Sequence, residues 1–179
     1  MSVLSNESFY WANDEIIYIP ARYTVDSKGK AICTHTFSLE HAFDECTSVD
    51  TYGLRCTFQG CTGITGSVSF PKLTSIGTYG LYYAFSRCTG ITGSVSFPKL
   101  TSIGIYGLMY AFQGCTGITG NVSFPELSSI SGYGLYNTFE GCSGITEIHF
   151  RADAQSTVEA ASGYSSKFGA TNATIYFDL

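Results

Sequence analysis

The side chains best able to do chemistry in this chain are its seven cysteines and three histidines. Cys61, Cys88, Cys115 and Cys142 recur every 27 residues, and Cys46 precedes them by 15. Cys33 and Cys56 stand apart. The closest approach to a metal set is Cys33-x-His35 with His41-x4-Cys46, near Asp44 and Glu45. Zinc sites show pairs such as C-x2-C or H-x3-H, which neither of these matches. These pairs instead flank an expected helix start, so they read as ordinary first-helix positions. No metal and no other cofactor is assigned. If the repeats stack at strand spacing, ~4.8 Å, a disulfide between neighbouring ladder cysteines is within reach. Identical stacked side chains point in parallel, however, and the cysteine total is odd. The ladder cysteines therefore read as small buried hydrophobes with free, unreactive thiols, leaving Cys33 and Cys56 as the accessible ones. No Ser-His-Asp order, phosphate-binding glycine loop or carboxylate pair stands out. Asn121-Val-Ser123 and Asn172-Ala-Thr174 match the glycosylation sequon, which decides nothing alone. The chain does not read as an enzyme.

Composition narrows the partners. Charged residues are 13% and the formal net charge is −5 with no basic run, so electrostatic binding to nucleic acid or anionic lipid is disfavoured. Hydrophobic residues are 44%, enough for a folded core. No apolar run approaches the ~20 residues of a membrane span. The opening stretch has neither a basic nor an apolar signal region. The expectation is a protein that stays where it is made, leaves without a cleaved signal, or is a piece of a longer one.

What must position these residues is a repeat. CTGITGSVSFPKLTSIG runs from Cys61 to Gly77 and again from Cys88 to Gly104; a third copy from Cys115 changes only Asn121, Glu126, Ser128 and Ser131. A period in this range signals stacked units. In each unit Ile64, Gly66, Val68 and Phe70 alternate with polar residues, as in a half-buried strand. Pro71 ends that strand, and Leu73 and Ile76 form a short apolar arc. Leu81, Ala84, Phe85 and Cys88 then fall at i, i+3, i+4 and i+7, the stripe of a helix. One unit cannot cover its own apolar face, and identical units can cover each other.

The pattern reaches upstream. Tyr52-Gly-Leu54, Phe58 and Cys61 match Tyr79-Gly-Leu81, Phe85 and Cys88, and Leu39, Ala42, Phe43 and Cys46 repeat the helical stripe. The short Cys46–Cys61 interval predicts a truncated unit lacking strand and arc. Ile16–Pro20 resembles the strand-plus-proline and would open the stack, with Lys28-Gly-Lys30 at a following turn. Downstream, Ile145–Phe150 is the last repeat strand, Asp153 is placed to cap a helix through Ser162 ended by Gly163, and Ala173–Phe177 is a final strand. The whole chain, 1–179, reads as a single α/β solenoid. Its 27-residue strand–turn–short helix units occupy 31–150, between irregular caps at 1–30 and 151–179.

Leu73-Thr-Ser-Ile-Gly77, Ala84-Phe85-x-x-Cys88, Ile91 and Pro98, with the recurrences at Ala42-Phe43 and Ala111-Phe112, resemble the BspA-type leucine-rich repeat. The resemblance covers about residues 31–150. The segment from Ile76 to Phe85 departs from that family by about one helical turn, ~4 extra residues. The resemblance implies a bacterial surface, protist surface or phage-encoded protein, with adhesion or recognition as its role.

Differences among the copies suggest where a ligand sits. The inward positions are constant. Three columns vary: Thr78, Ile105, Gly132; then Tyr82, Met109, Tyr136 beside Tyr83, Tyr110, Asn137; then Ser86, Gln113, Glu140 beside Arg87, Gly114, Gly141. Helical geometry turns 82, 83, 86 and 87 outward. Surface drift explains such variation. So does a patch of Tyr82, Tyr83, Met109, Tyr110 and Tyr136 that binds a protein or glycan. The strand face is a flat ladder of Thr and Ser. Two functions remain open: a recognition module, or a structural subunit that self-assembles into a homo-oligomer or packs into a larger, phage-like particle.

Overall fold

A computed structural model describes residues 7–12, 15–20, 23–25, 31–33, 37–39 and 41–179. It is an α/β fold with two parallel sheets and few helices, in a repeat-like arrangement. Strands β1 (Glu7–Ala12) and β2 (Glu15–Pro20) form an antiparallel hairpin, and β3 (Tyr23–Val25) with β4 (Ala31–Cys33) forms a second. The Ile16–Pro20 segment, expected to open the parallel stack, pairs within that first hairpin instead. The Lys28–Lys30 turn and His35 lie outside the described residues.

From residue 37 onward the chain alternates between the two sheets. It forms β5 (Phe37–Ser38), β6 (Ser48–Val49), β7 (Ile64–Ser69), β8 (Ser75–Ile76) and β9 (Ile91–Ser96). There follow β10 (Ser102–Ile103), β11 (Thr119–Phe124), β12 (Ser129–Ile130), β13 (Gly144–Phe150) and, after a short helix α1 (Gln155–Glu159), β14 (Thr174–Phe177). The larger sheet is ordered β14-β13-β11-β9-β7-β5 and the smaller β12-β10-β8-β6. Pairing is parallel and follows the repeat: Phe37 opposes Ile64, and Ser75 opposes Ser102.

This register corrects the reading of the first unit. It is full length. Phe43 stacks on Phe70 at 4.4 Å between ring centroids, and Val49 opposes Ile76. Lys72 Nζ lies 2.6 Å from the Glu45 carboxylate. Cys46 therefore occupies the column of Leu73, off the cysteine ladder, and donates to the Ser48 carbonyl.

The core is two columns of phenylalanine. Phe43, Phe70, Phe97, Phe124 and Phe150 form one, with successive centroids 4.4, 5.3, 5.6 and 5.3 Å apart. Phe58, Phe85, Phe112 and Phe139 form the other, at 5.2, 5.2 and 6.0 Å. All nine are fully buried. Rings of one column meet rings of the other edge to face, as Phe97 meets Phe112 at 6.4 Å; both arrangements suit the ring quadrupole.

Two glycine positions show what the repeated Thr-Gly-Ile-Thr-Gly does. A Cβ on Gly117 would lie 2.4 Å from the Ile91 carbonyl oxygen, so this turn passes directly against the previous unit. Gly120 instead has φ +83, the left-handed bulge residue of β11. The alternation expected to point Gly66, Gly93 and Gly120 inward is broken there: Thr92, Gly93 and Ser94 are all exposed. Ile145 to Ile148 is one residue shorter than Ile118 to Val122, and the β11–β13 register shifts by one between Gly120 and Asn121.

The C-terminal helix is shorter than its sequence suggested. A 3₁₀ turn at Ala152–Ala154 leads into α1, which ends at Glu159. Asp153 caps nothing; its carboxylate accepts from the Arg151 guanidinium. Gly163, left-handed at φ 93, precedes a second 3₁₀ stretch at Tyr164–Gly169. β14 forms beside β13 as the alternating Thr174–Phe177 segment requires.

Candidate functional site

The stretch expected to be a helix in each unit is not one. In the second unit Tyr79, Leu81, Tyr83, Phe85 and Arg87 donate their amides to the next unit, at Ile105, Gly107, Met109, Ala111 and Gln113. The alternate residues Gly80, Tyr82, Ala84, Ser86 and Cys88 donate three residues back. Left-handed residues recur every fourth position, Tyr79 (φ 55), Tyr83 (φ 52) and Arg87 (φ 62). The result is a third inter-unit ladder built from turns. A bulky L-residue at positive φ is strained by ~1–2 kcal/mol. Each such residue here gains an inter-unit hydrogen bond and, at the tyrosines, a stacked ring.

This geometry paves the third face with tyrosine. Tyr52, Tyr79, Tyr106 and Tyr133 form one row, with centroids 5.2, 4.7 and 5.6 Å apart and rings nearly parallel. Tyr83 stacks on Tyr110 at 4.7 Å, and Tyr110 meets Tyr136 edge to face at 5.9 Å. Tyr82 packs edge to face against both Tyr79 (5.3 Å) and Tyr83 (4.6 Å). The Arg55 guanidinium sits 5.6 Å from the Tyr52 and Tyr82 centroids and 5.8 Å from that of Tyr79, a cation–π cluster. Tyr52 and Tyr133, at the row's ends, are 53% and 45% exposed.

The structure thus places all five sequence-derived residues, Tyr82, Tyr83, Met109, Tyr110 and Tyr136, on one face, half-buried. Partial burial first, then neighbouring phenols and the Glu140 carboxylate, raise the Tyr83 and Tyr110 hydroxyls above the usual tyrosine range. They remain neutral donors and acceptors.

The outward reading of the third column fails at Ser86, while Arg87 is exposed as expected. Ser86 is fully buried, and its hydroxyl meets Gln113 Oε1 at 3.3 Å. Gln113 Nε2 donates in turn to Glu140 Oε2 at 2.8 Å, which also accepts from Asn137. That column is a hydrogen-bonded polar ladder, buried at Ser86 and half-buried at Gln113 and Glu140. Sequence comparison also missed the Tyr52/Tyr79/Tyr106/Tyr133 row and Arg55. The row is identical in every unit, so it read as architecture; the 27-residue offset was its signal.

The ladder thiols behave as buried donors. Cys88, Cys115 and Cys142 Sγ donate to the carbonyls of Phe58, Phe85 and Phe112 at 3.0, 3.0 and 3.1 Å. Burial pushes Cys115 and Cys142 up to about 12, and Cys88 higher still, with neighbouring thiols adding to the effect at Cys88 and Cys115. Every described cysteine side chain is an unbridged thiol. His41 pairs with Asp44 at 2.8 Å and Glu45 with Lys72. Among the described residues, no group of three potential ligands could hold a metal, and no helix is long and apolar enough to cross a membrane. Compared with family models, curated proteins and solved structures, the chain matches none.

Proposed function

We propose that the chain is a leucine-rich-repeat-like solenoid that acts as a non-enzymatic recognition module, taking a protein or glycan through its tyrosine face. One observation carries this reading: eight tyrosines and Arg55 share a single face, and five of the tyrosines, Tyr52, Tyr79, Tyr83, Tyr106 and Tyr110, stand at strained left-handed backbone positions. Strain of this kind clusters where surfaces are used. Side chains already immobilised in stacks lose little entropy when a partner arrives, and tyrosine is over-represented among the residues that dominate binding.

The test is a pair of triple variants, screened with the parent against a glycan array and a displayed-protein library. Changing Tyr82, Tyr110 and Tyr136 together to Ser weakens the selected interaction by well over tenfold, while changing Ser69, Ser96 and Ser123 to Lys leaves it intact. Loss only in the lysine variant moves the site to the strand face. A second reading rests on that strand face, where Thr92, Gly93 and Ser94 form a flat, small, exposed surface. It makes the chain a structural subunit packing against its own copies or a larger particle. Sedimentation separates the two: a monomer fits recognition, a discrete oligomer fits assembly.

A further inference from the structure

We infer that the open edge of β14 is a docking site for an extended peptide with alternating apolar residues and an acidic residue beside Lys167. β14 ends the six-stranded sheet, and among the described residues nothing pairs with its outer side. Alternate N–H and C=O groups of a parallel edge strand point away from its one neighbour, ready for another strand. The other two ladders are closed at this end: α1 packs against β12, and the Phe168 carbonyl takes the Phe139 amide of the turn face. A second copy stacking head to tail would have to pair where α1 already covers β12, whereas a single added strand needs only the edge of β14.

The side chains at this edge are unfinished in the same sense. Ile175 and Phe177 continue the columns of Ile148 and Phe150, which are fully buried, yet both stay half-exposed. Beside them is a cavity of about 290 Å³ lined by Tyr164, Ser165, Lys167, Thr174 and Ile175. Lys167, left-handed at φ 52, spends one ammonium proton on the Thr171 carbonyl at 3.1 Å. Among the described residues it is the only charged side chain lining the cavity, and two of its three donors remain for a carboxylate. The sheet's own register says what fits. Glu147 opposes Thr174, Ile148 opposes Ile175 and Phe150 opposes Phe177. A strand repeating that pattern one step further out would lay Ile and Phe over the half-exposed pair and bring Glu to Lys167. Main-chain pairing supplies affinity in such strand addition, and alternate side chains supply specificity.

The probe is a labelled synthetic peptide, Gly-Ile-Thr-Glu-Ile-His-Phe, titrated against the full chain by fluorescence anisotropy. Two N-methylated versions block alternate amides. Strand addition requires one of them to lose about tenfold or more in affinity while the other binds like the parent. Replacing the peptide Glu by Lys weakens binding to the parent chain, and the K167E variant restores it. No binding at millimolar peptide overturns the inference, and so does equal loss from both methylation patterns. The tyrosine-to-serine triple leaves this binding unchanged, so failure here and failure of the tyrosine face are read separately.

Discussion

Replacing Gly117 by Ala tests how closely successive units approach. The added Cβ would sit 2.4 Å from the Ile91 backbone oxygen, against a floor near 3.0 Å for real Cβ contacts, so the turn must move by at least 0.6 Å (3.0 − 2.4). The obstacle is backbone and cannot rotate away. Overpacking of this kind costs about 1–3 kcal/mol. The movement also stretches the isolated bridge between Gly93 of β9 and Ile118, just before β11, adding about 1 kcal/mol for a weakened hydrogen bond. The expected loss is roughly 2–4 kcal/mol, read as a lower urea midpoint at unchanged slope. Gly120→Ala is the comparison: its Cβ meets nothing within 4 Å, and only φ +83 opposes it, for about 1–2 kcal/mol. If Gly117→Ala costs less than about 0.5 kcal/mol, within ordinary surface variation, the units do not approach as described.

Phe112 lies stacked between Phe85 and Phe139 and is fully buried; its replacement by Ala should cost about 3–5 kcal/mol, checked by the same titration. In native protein a thiol reagent should leave Cys88, Cys115 and Cys142 unlabelled, because burial holds them protonated; labelling there at the rate of a free thiol would contradict their burial. His149 donates Nδ1–H to the Asp178 carboxylate (2.8 Å) and Nε2–H to that of Glu147 (3.1 Å), and the Asp178 hydrogen bond, against partial burial, raises its pKa. The folded state therefore favours the imidazolium. Its contribution is fully present below the ordinary histidine range and is lost as pH rises through the raised value. The stability gap between parent and His149→Gln should narrow as pH rises from below the ordinary histidine range through the raised value; a gap that widens reverses the assigned cause.

Strand positions and phenylalanine columns were legible because repetition makes them so: a 27-residue offset names each residue's neighbour. Secondary structure on the third face was not. Burial at i, i+3, i+4 and i+7 is what a helix of period 3.6 produces, but Gly80, Ala84 and Cys88 with Leu81 and Phe85 also satisfy a period of four. Over two turns the two periods cannot be told apart, and only hydrogen bonding between units decides. The first unit was misphased for a related reason. Ala42-Phe43-x-x-Cys46 copies the letters of Ala84-Phe85-x-x-Cys88, while the offset puts Phe43 under Phe70. Ser86 looked exposed by helical projection; its burial follows from the Gln113 and Glu140 side chains beside it. The candidate site was half legible, since variation among copies marks Tyr82, Met109 and Tyr136 but cannot mark a row that never varies.

The alternation of amides on the tyrosine face sets a rule for how such a chain can grow. Even-numbered donors of the second unit stay within their own turn and odd-numbered donors serve the neighbour, with a left-handed residue every four positions. Inserting one residue would exchange the two sets and turn Leu81 and Phe85 toward solvent. Inserting two would restore the donors but misplace the left-handed tyrosines. Four is the smallest change that restores both, so the girth of a unit comes in steps of four residues. A lone widened unit would leave its extra inter-unit donors without acceptors. Such a protein can gain or lose whole units one at a time, but it can change width only if adjoining units change together.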